Sequence, residues 1–264
     1  MGERGDRAQR GTGARSAAVS GSFNERDELE IGDGKIICCF GKKGSGKSVI
    51  ARMILDSYPG DRIVLAANRD DGPFPNEDQG IHVFRGGVDD FPKRWPEHLR
   101  RDREYLTLRF EFDTGSSTDI EDQDAVVELA MRHGNCALLV HEVGLLAPVG
   151  KQSRYPFTKR LLHANRHHHV TALFCGPRPI DVNPLVIGQA DVVYVFETQV
   201  IADRKRIADT IGWNLRDFED GLDELGPHEY LRFDAREPKP EGAEEDRRLV
   251  IKPALPIEEV RRLP

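Results

Sequence analysis

Eight residues, Gly41-Lys42-Lys43-Gly44-Ser45-Gly46-Lys47-Ser48, constrain this chain more than any other stretch. They fit G-x-x-x-x-G-K-S/T at every fixed position, a pattern that works only between a buried strand and a helix. Its glycines let backbone N–H groups turn inward around an anion, and the following helix adds its N-terminal partial positive charge. Both flanks are present. Ile36-Ile37-Cys38-Cys39-Phe40 is a short apolar run with β-branched residues, and Val49, Ile50, Met53 and Ile54 share one helical face beyond the loop. The spacing predicts a strand, a phosphate-cradling loop and a helix, with the cradle running through Val49. Lys47 is expected to reach the β- and γ-phosphates of ATP, and the Ser48 hydroxyl to ligate Mg²⁺.

The rest of the chain alternates strand and helix patterns. Strands are expected at 62–67, 81–84, 105–112, 136–143, 170–175, 191–197 and 228–233. Thr118-Asp119-Ile120-Glu121 reads as a capping box opening a helix to about Arg132. Further helices are expected over 154–168, 203–212 and 215–225. Such alternation implies an α/β fold: a mainly parallel sheet with helices on both faces. Residues 1–24, rich in Gly, Arg and Ser, are expected to be a disordered tail. Residues 25–235 would form the folded domain. Residues 236–264 would be a charged, Pro-rich arm in which 248–255 makes a short edge strand.

Composition excludes little. The net charge of −7 argues against a basic coat, yet a groove or pore can be locally basic, so nucleic acid is neither supported nor excluded. No apolar run reaches the roughly 18 residues a membrane span needs. The first residues lack the apolar core of a secretory signal. Cys38, Cys39, Cys136 and Cys175 all lie in apolar runs and are expected to be buried, reduced thiols of a cytoplasmic protein.

Hydrolysis of a nucleotide also needs a carboxylate at the end of a second buried strand. Ala137-Leu138-Leu139-Val140-His141-Glu142 provides it, with His141 where such enzymes usually carry Asp. Glu142 is the candidate base and a candidate Mg²⁺ ligand. His141 either accepts a hydrogen bond from a metal-bound water or packs against the helix after the loop.

Arg166, His167 and Val170 lead into one strand, Arg178-Pro179 follows it, and Ala190-Asp191 opens the next strand, which closes on Phe196. This arrangement, over roughly residues 34–212, resembles the HerA/FtsK superfamily of RecA-like P-loop ATPases, and most of all the viral genome-packaging ATPases. The resemblance implies ATP hydrolysis coupled to translocation of double-stranded DNA into a capsid. It further implies a homo-oligomeric ring, a hexamer, with capsid or portal-vertex partners, in host cytoplasm or virion. By the same resemblance Arg166 acts on the nucleotide of the next subunit, with Arg160 in reserve. Two departures stand out: His141 replaces an Asp, and Gly176 replaces the strand-end Gln that senses the γ-phosphate.

Two other readings stay open, a nucleotide-binding switch with little turnover and a small-molecule kinase. His167-His168-His169 points in three directions on a helix and is not expected to bind one metal ion. Residues 92–105 gather Lys93, Arg94, Arg100, Arg101 and Arg103 around Trp95. The interleaved acids favour a solvated helix over a phosphate-contacting loop.

Overall fold

The computed structural model describes residues 32–66, 81–112, 119–237 and 248–254. β1 (Ile36–Phe40) is buried at every residue, which is why its sequence is apolar throughout rather than alternating. Beyond the glycine loop, α1 (Lys47–Ser57) leads to β2 (Asp61–Ala66). β3 (His82–Arg85), β4 (Thr107–Glu111), α2 (Asp119–His133) and β5 (Cys136–Val140) follow. The chain continues through α3 (Val143–Leu146), α4 (Pro156–His168), β6 (Val170–Gly176) and α5 (Pro184–Gly188). It then forms β7 (Val192–Val195), α6 (Ile201–Ile211), α7 (Leu215–Asp223), β8 (Tyr230–Asp234) and β9 (Leu249–Lys252).

Among the described residues these strands make one nine-stranded sheet in the order β3-β4-β2-β5-β6-β1-β7-β8-β9. Neighbours from β3 to β7 are parallel, while β8 and β9 add antiparallel pairs at one side. β1 and β6 pair in a register that sets Phe40 beside Gly176, and β5 joins with Val140 beside Phe174. The three central strands therefore end together on one edge. Helices cover both faces, as the alternation predicts. On one face Ile50, Ile54 and Leu55 of α1 pack on Ile37, Cys39 and Leu173. On the other, Val127 of α2, Leu161 of α4 and Phe218 of α7 join a core with Cys38, Phe40, Leu138 and Phe174. Adjacent Cys38 and Cys39 thus face opposite cores, and all four cysteines are buried and free.

α4 begins on a cap that its own sequence does not contain. The carboxylate of Asp124, on α2, accepts from the Phe157 N–H at 2.9 Å and the Thr158 N–H at 2.6 Å. The expected edge strand is β9. The tail at 1–24, Thr118 of the capping box and most of 236–264 lie outside the described residues.

Residues 92–105 differ from expectation. They hold one short 3₁₀ turn, Glu97–Leu99, instead of a helix. Pro92 and Pro96 remove backbone donors a helix would need. Arg100 is drawn to Asp61 as well, making bidentate bonds of 2.8 and 2.7 Å. Trp95 stacks on His133 at 3.8 Å between centroids, and His133 Nε2 lies 2.9 Å from Asp61. Arg100 and Trp95 are thereby tied to Asp61, at the start of β2.

Candidate functional site

Open α/β sheets place ligands outside the carboxyl ends of their strands. The glycine loop stands there, between β1 and α1. Gly46 is the N-cap of α1 with φ 110°, a conformation side-chain-bearing residues rarely adopt. At Gly41 a Cβ would sit 2.6 Å from Phe196 Cβ and 2.8 Å from Ser45 Oγ, so no larger residue fits. Phe196, fully buried, is the floor of the loop. Lys47, at 7% exposure, opens α1. Lys42 and Glu197 pair through their side chains, and the Lys42 N–H donates to the Glu197 carbonyl at 3.0 Å. The hydrogen bond from Lys42 holds the Glu197 carboxyl below its ordinary range.

The end of β5 meets this loop. His141 is buried, and its Nε2 lies 3.3 Å from Ser48 Oγ. The imidazole therefore touches the first turn of α1 through the hydroxyl expected to ligate Mg²⁺. If that hydroxyl donates to Nε2, its oxygen lone pairs stay available. Glu142 follows in the left-handed region, φ 63° and ψ 56°, which costs a residue with a β-carbon about 1–2 kcal/mol. It caps α3, and among the described residues nothing bonds its carboxylate. Strain of this kind collects at functional sites.

Gly176 ends β6 beside them. A Cβ there would lie 3.2 Å from Val143 Cγ1 and 3.9 Å from Phe40 Cε1. Val143 directly follows Glu142, so the first side-chain atom of a residue larger than glycine would press on the turn that carries Glu142. Two residues later, Arg178 Nε bonds Asp203 at 2.7 Å. The other oxygen of this buried Asp203 accepts from the Ile180 N–H at 3.0 Å. Nothing in the sequence singles out Asp203, because its partners come from another crossover.

Arg166 is elsewhere. It lies in the last turn of α4, just before β6 begins, and so stands at the amino edge of the sheet. Its Nη2 bonds Asp191 Oδ1 at 3.0 Å, and Asp191 Oδ2 accepts from the Ile36 N–H at 2.9 Å. The five residues of β1 separate it from the loop, roughly 16 Å at strand rise. Arg160, also on α4, is exposed. The histidines after Arg166 diverge: His168 Nδ1 is 3.0 Å from the Met131 carbonyl, and His169 Nδ1 is 2.6 Å from Asp33. His228, which sequence reasoning passed over, lies beside the loop with Nδ1 3.4 Å from the Ser45 carbonyl.

No family profile matches this sequence, and no curated protein sequence matches it. Solved structures do. The genome packaging NTPase B204 from Sulfolobus turreted icosahedral virus 2, in complex with AMPPCP, aligns with 84% of this chain and 98% of its own at TM-score 0.59 and 18% identity. The same NTPase in complex with ATP-gammaS gives TM-score 0.61 and 19% identity, covering 84% of this chain and 98% of its own. B204, the DNA-packaging ATPase from Sulfolobus Turreted Icosahedral Virus, covers 85% of this chain and 100% of its own at TM-score 0.60 and 19% identity. This chain has their P-loop NTPase fold.

Proposed function

We propose that this chain is the ATP-hydrolysing subunit of a ring that moves double-stranded DNA, as a viral genome-packaging motor does. The observation that carries the reading is a division of the site between the two edges of the sheet. Lys47, Ser48, His141 and Glu142 gather at the carboxyl edge, whereas Arg166 is exposed at the amino edge, roughly 16 Å away at strand rise. An arginine that cannot reach its own loop suits a ring of identical subunits, here a hexamer, in which each completes its neighbour's site. The fold shared with B204, and the ATP analogues bound to that protein, support a nucleotide as ligand and packaging as the process. Capsid or portal-vertex proteins would be the further partners, in host cytoplasm or virion. Among the described residues no helix is long and apolar enough to cross a membrane.

In this reading the loop amides and the Lys47 ammonium hold the β- and γ-phosphates. Hydroxyl and carboxylate oxygens are the donors Mg²⁺ prefers, so Ser48 and Glu142 fit it. Bound there, Mg²⁺ would neutralise phosphate charge. His141 orients the Ser48 hydroxyl. The Glu142 carboxylate takes a proton from water as that water attacks the γ-phosphorus, and the bond to the β-γ bridging oxygen breaks. Arg166 of one subunit neutralises the charge developing on its neighbour's γ-phosphate.

Phosphate release measured with and without double-stranded DNA tests the proposal. DNA should stimulate turnover. Transfer of phosphate to a small acceptor would make the chain a kinase. Tight ATP binding without turnover would make it a switch, a reading that His141 and Gly176 favour.

A further inference from the structure

The strand order gives the candidate site a direction. His141 and Glu142 follow β5, on one flank of β1, and β7 and β8 lie on the other. A nucleotide whose terminal phosphate faces Ser48 and Glu142 must carry its nucleoside away from them. β8 runs antiparallel to β7, so the residues before β8 reach the edge that holds the glycine loop.

His228 is there, two residues before β8. Its backbone lies in the left-handed region at φ 64°, an uncommon conformation for a residue with a β-carbon. The turn around it is locked. The Gly226 N–H donates to Glu229 Oε2 at 2.7 Å, and the Glu229 N–H to the Gly226 carbonyl at 3.2 Å. Next along the strand, Tyr230 is fully buried with its ring 5.1 Å from Phe196, the floor of the phosphate loop. The Phe196–Tyr230 contact and the Gly226–Glu229 turn on either side thus set His228 beside the loop, yet the residue itself is exposed.

The hydrogen-bond chemistry narrows what that ring can take. The Ser45 carbonyl only accepts, so a hydrogen bond across the 3.4 Å to Nδ1 requires that nitrogen to carry the hydrogen. In the neutral ring Nε2 is then an acceptor. In that form Nε2 matches the hydroxyl or amino donors of a nucleoside, and the face of the imidazole matches a flat base. We infer that His228 contacts the nucleoside and gives this loop its preference for nucleotides over bare polyphosphate. The inference rests on reading the loop as a nucleotide site.

Two variants test it. His228→Gly adopts the left-handed backbone without strain and removes the ring. His228→Phe keeps a ring face and removes the acceptor. Affinities of the full chain for ATP and for inorganic tripolyphosphate, both with Mg²⁺, are measured by calorimetry. His228→Gly should weaken ATP about tenfold, the scale of one hydrogen bond plus one ring contact. Tripolyphosphate affinity and kcat at saturating ATP should stay unchanged, and His228→Phe should recover part of the loss. Equal weakening of both ligands would reduce His228 to a prop for the loop, and unchanged ATP affinity would remove it from the site. If the native chain bound neither ligand, the nucleotide reading itself would fall, and this inference with it.

Discussion

Replacing Arg166 with alanine should cost the fold little and the reaction nearly everything. The Arg166 side chain is 71% exposed and meets Asp191 at 3.0 Å. The Asp191 side chain is only 9% exposed, but the guanidinium end of the pair stands in water, which screens the pair to about 1 kcal/mol at most. Asp191 is not stranded by the loss, because Ile36 N–H still donates at 2.9 Å and the Lys35 ammonium lies at 4.0 Å. A loss of at most about 1 kcal/mol lowers the melting temperature of a chain this size by about 2–4 °C. ATP affinity should hold, since the subunit's own loop is roughly 16 Å distant at strand rise. Turnover should fall by about a thousandfold or more, the scale of a trans-acting arginine. That is at least about 4 kcal/mol of barrier, well above the stability term. The assay is mixing. Arg166→Ala subunits keep a good loop and Lys47→Ala subunits a good arginine, so mixed rings contain some intact interfaces and should regain part of the activity neither variant has alone. Near-normal turnover of Arg166→Ala would refute the catalytic role. If subunits demonstrably exchange and no activity returns, Arg166 does not act in trans, and Arg160 becomes the residue to examine.

Lys47→Ala should abolish productive ATP binding in calorimetry, since β- and γ-oxygens lose their main charged partner; unchanged affinity in the folded variant would remove the loop from the site. Glu142→Gln keeps shape and loses basicity, so ATP should bind normally while hydrolysis slows at least about a hundredfold. Near-normal phosphate release would assign the base to another carboxylate. Burial pushes the Asp61 carboxyl up, but hydrogen bonds from Arg100, the Leu106 N–H and His133 outweigh it and hold the group below its ordinary range. Its contribution to stability is therefore present above about pH 4 and lost as pH falls through the lowered value. Asp61→Asn should lower the melting temperature at neutral pH and flatten its fall in acid, and an acid limb as steep as the native one would contradict this.

What could be read from the chain beforehand follows contact range. The glycine loop was legible because every residue it needs lies within one strand–loop–helix unit, and the carboxyl end of β5 because a buried apolar run leads directly into it. Gly176 shows in the sequence only as a departure, for the opposite reason. The atom nearest to a side chain there, 3.2 Å from its Cβ, belongs to Val143, on a different crossover, and only the register of β5 and β6 brings the two together. Residues 92–105 depart from a helix because their two prolines outweigh the charge alternation, and because Asp61, which captures Arg100, precedes it by 39 residues. His228 carries no local signature at all; only the antiparallel direction of β8 returns it to the loop, 183 residues from Ser45. Arg166 shows how far each kind of reasoning reaches. Resemblance singled out the residue, but only the sheet shows that it and its own loop occupy opposite edges. That separation turns a residue-level likeness into a claim about subunits, because an arginine so placed either serves a neighbour or serves no nucleotide.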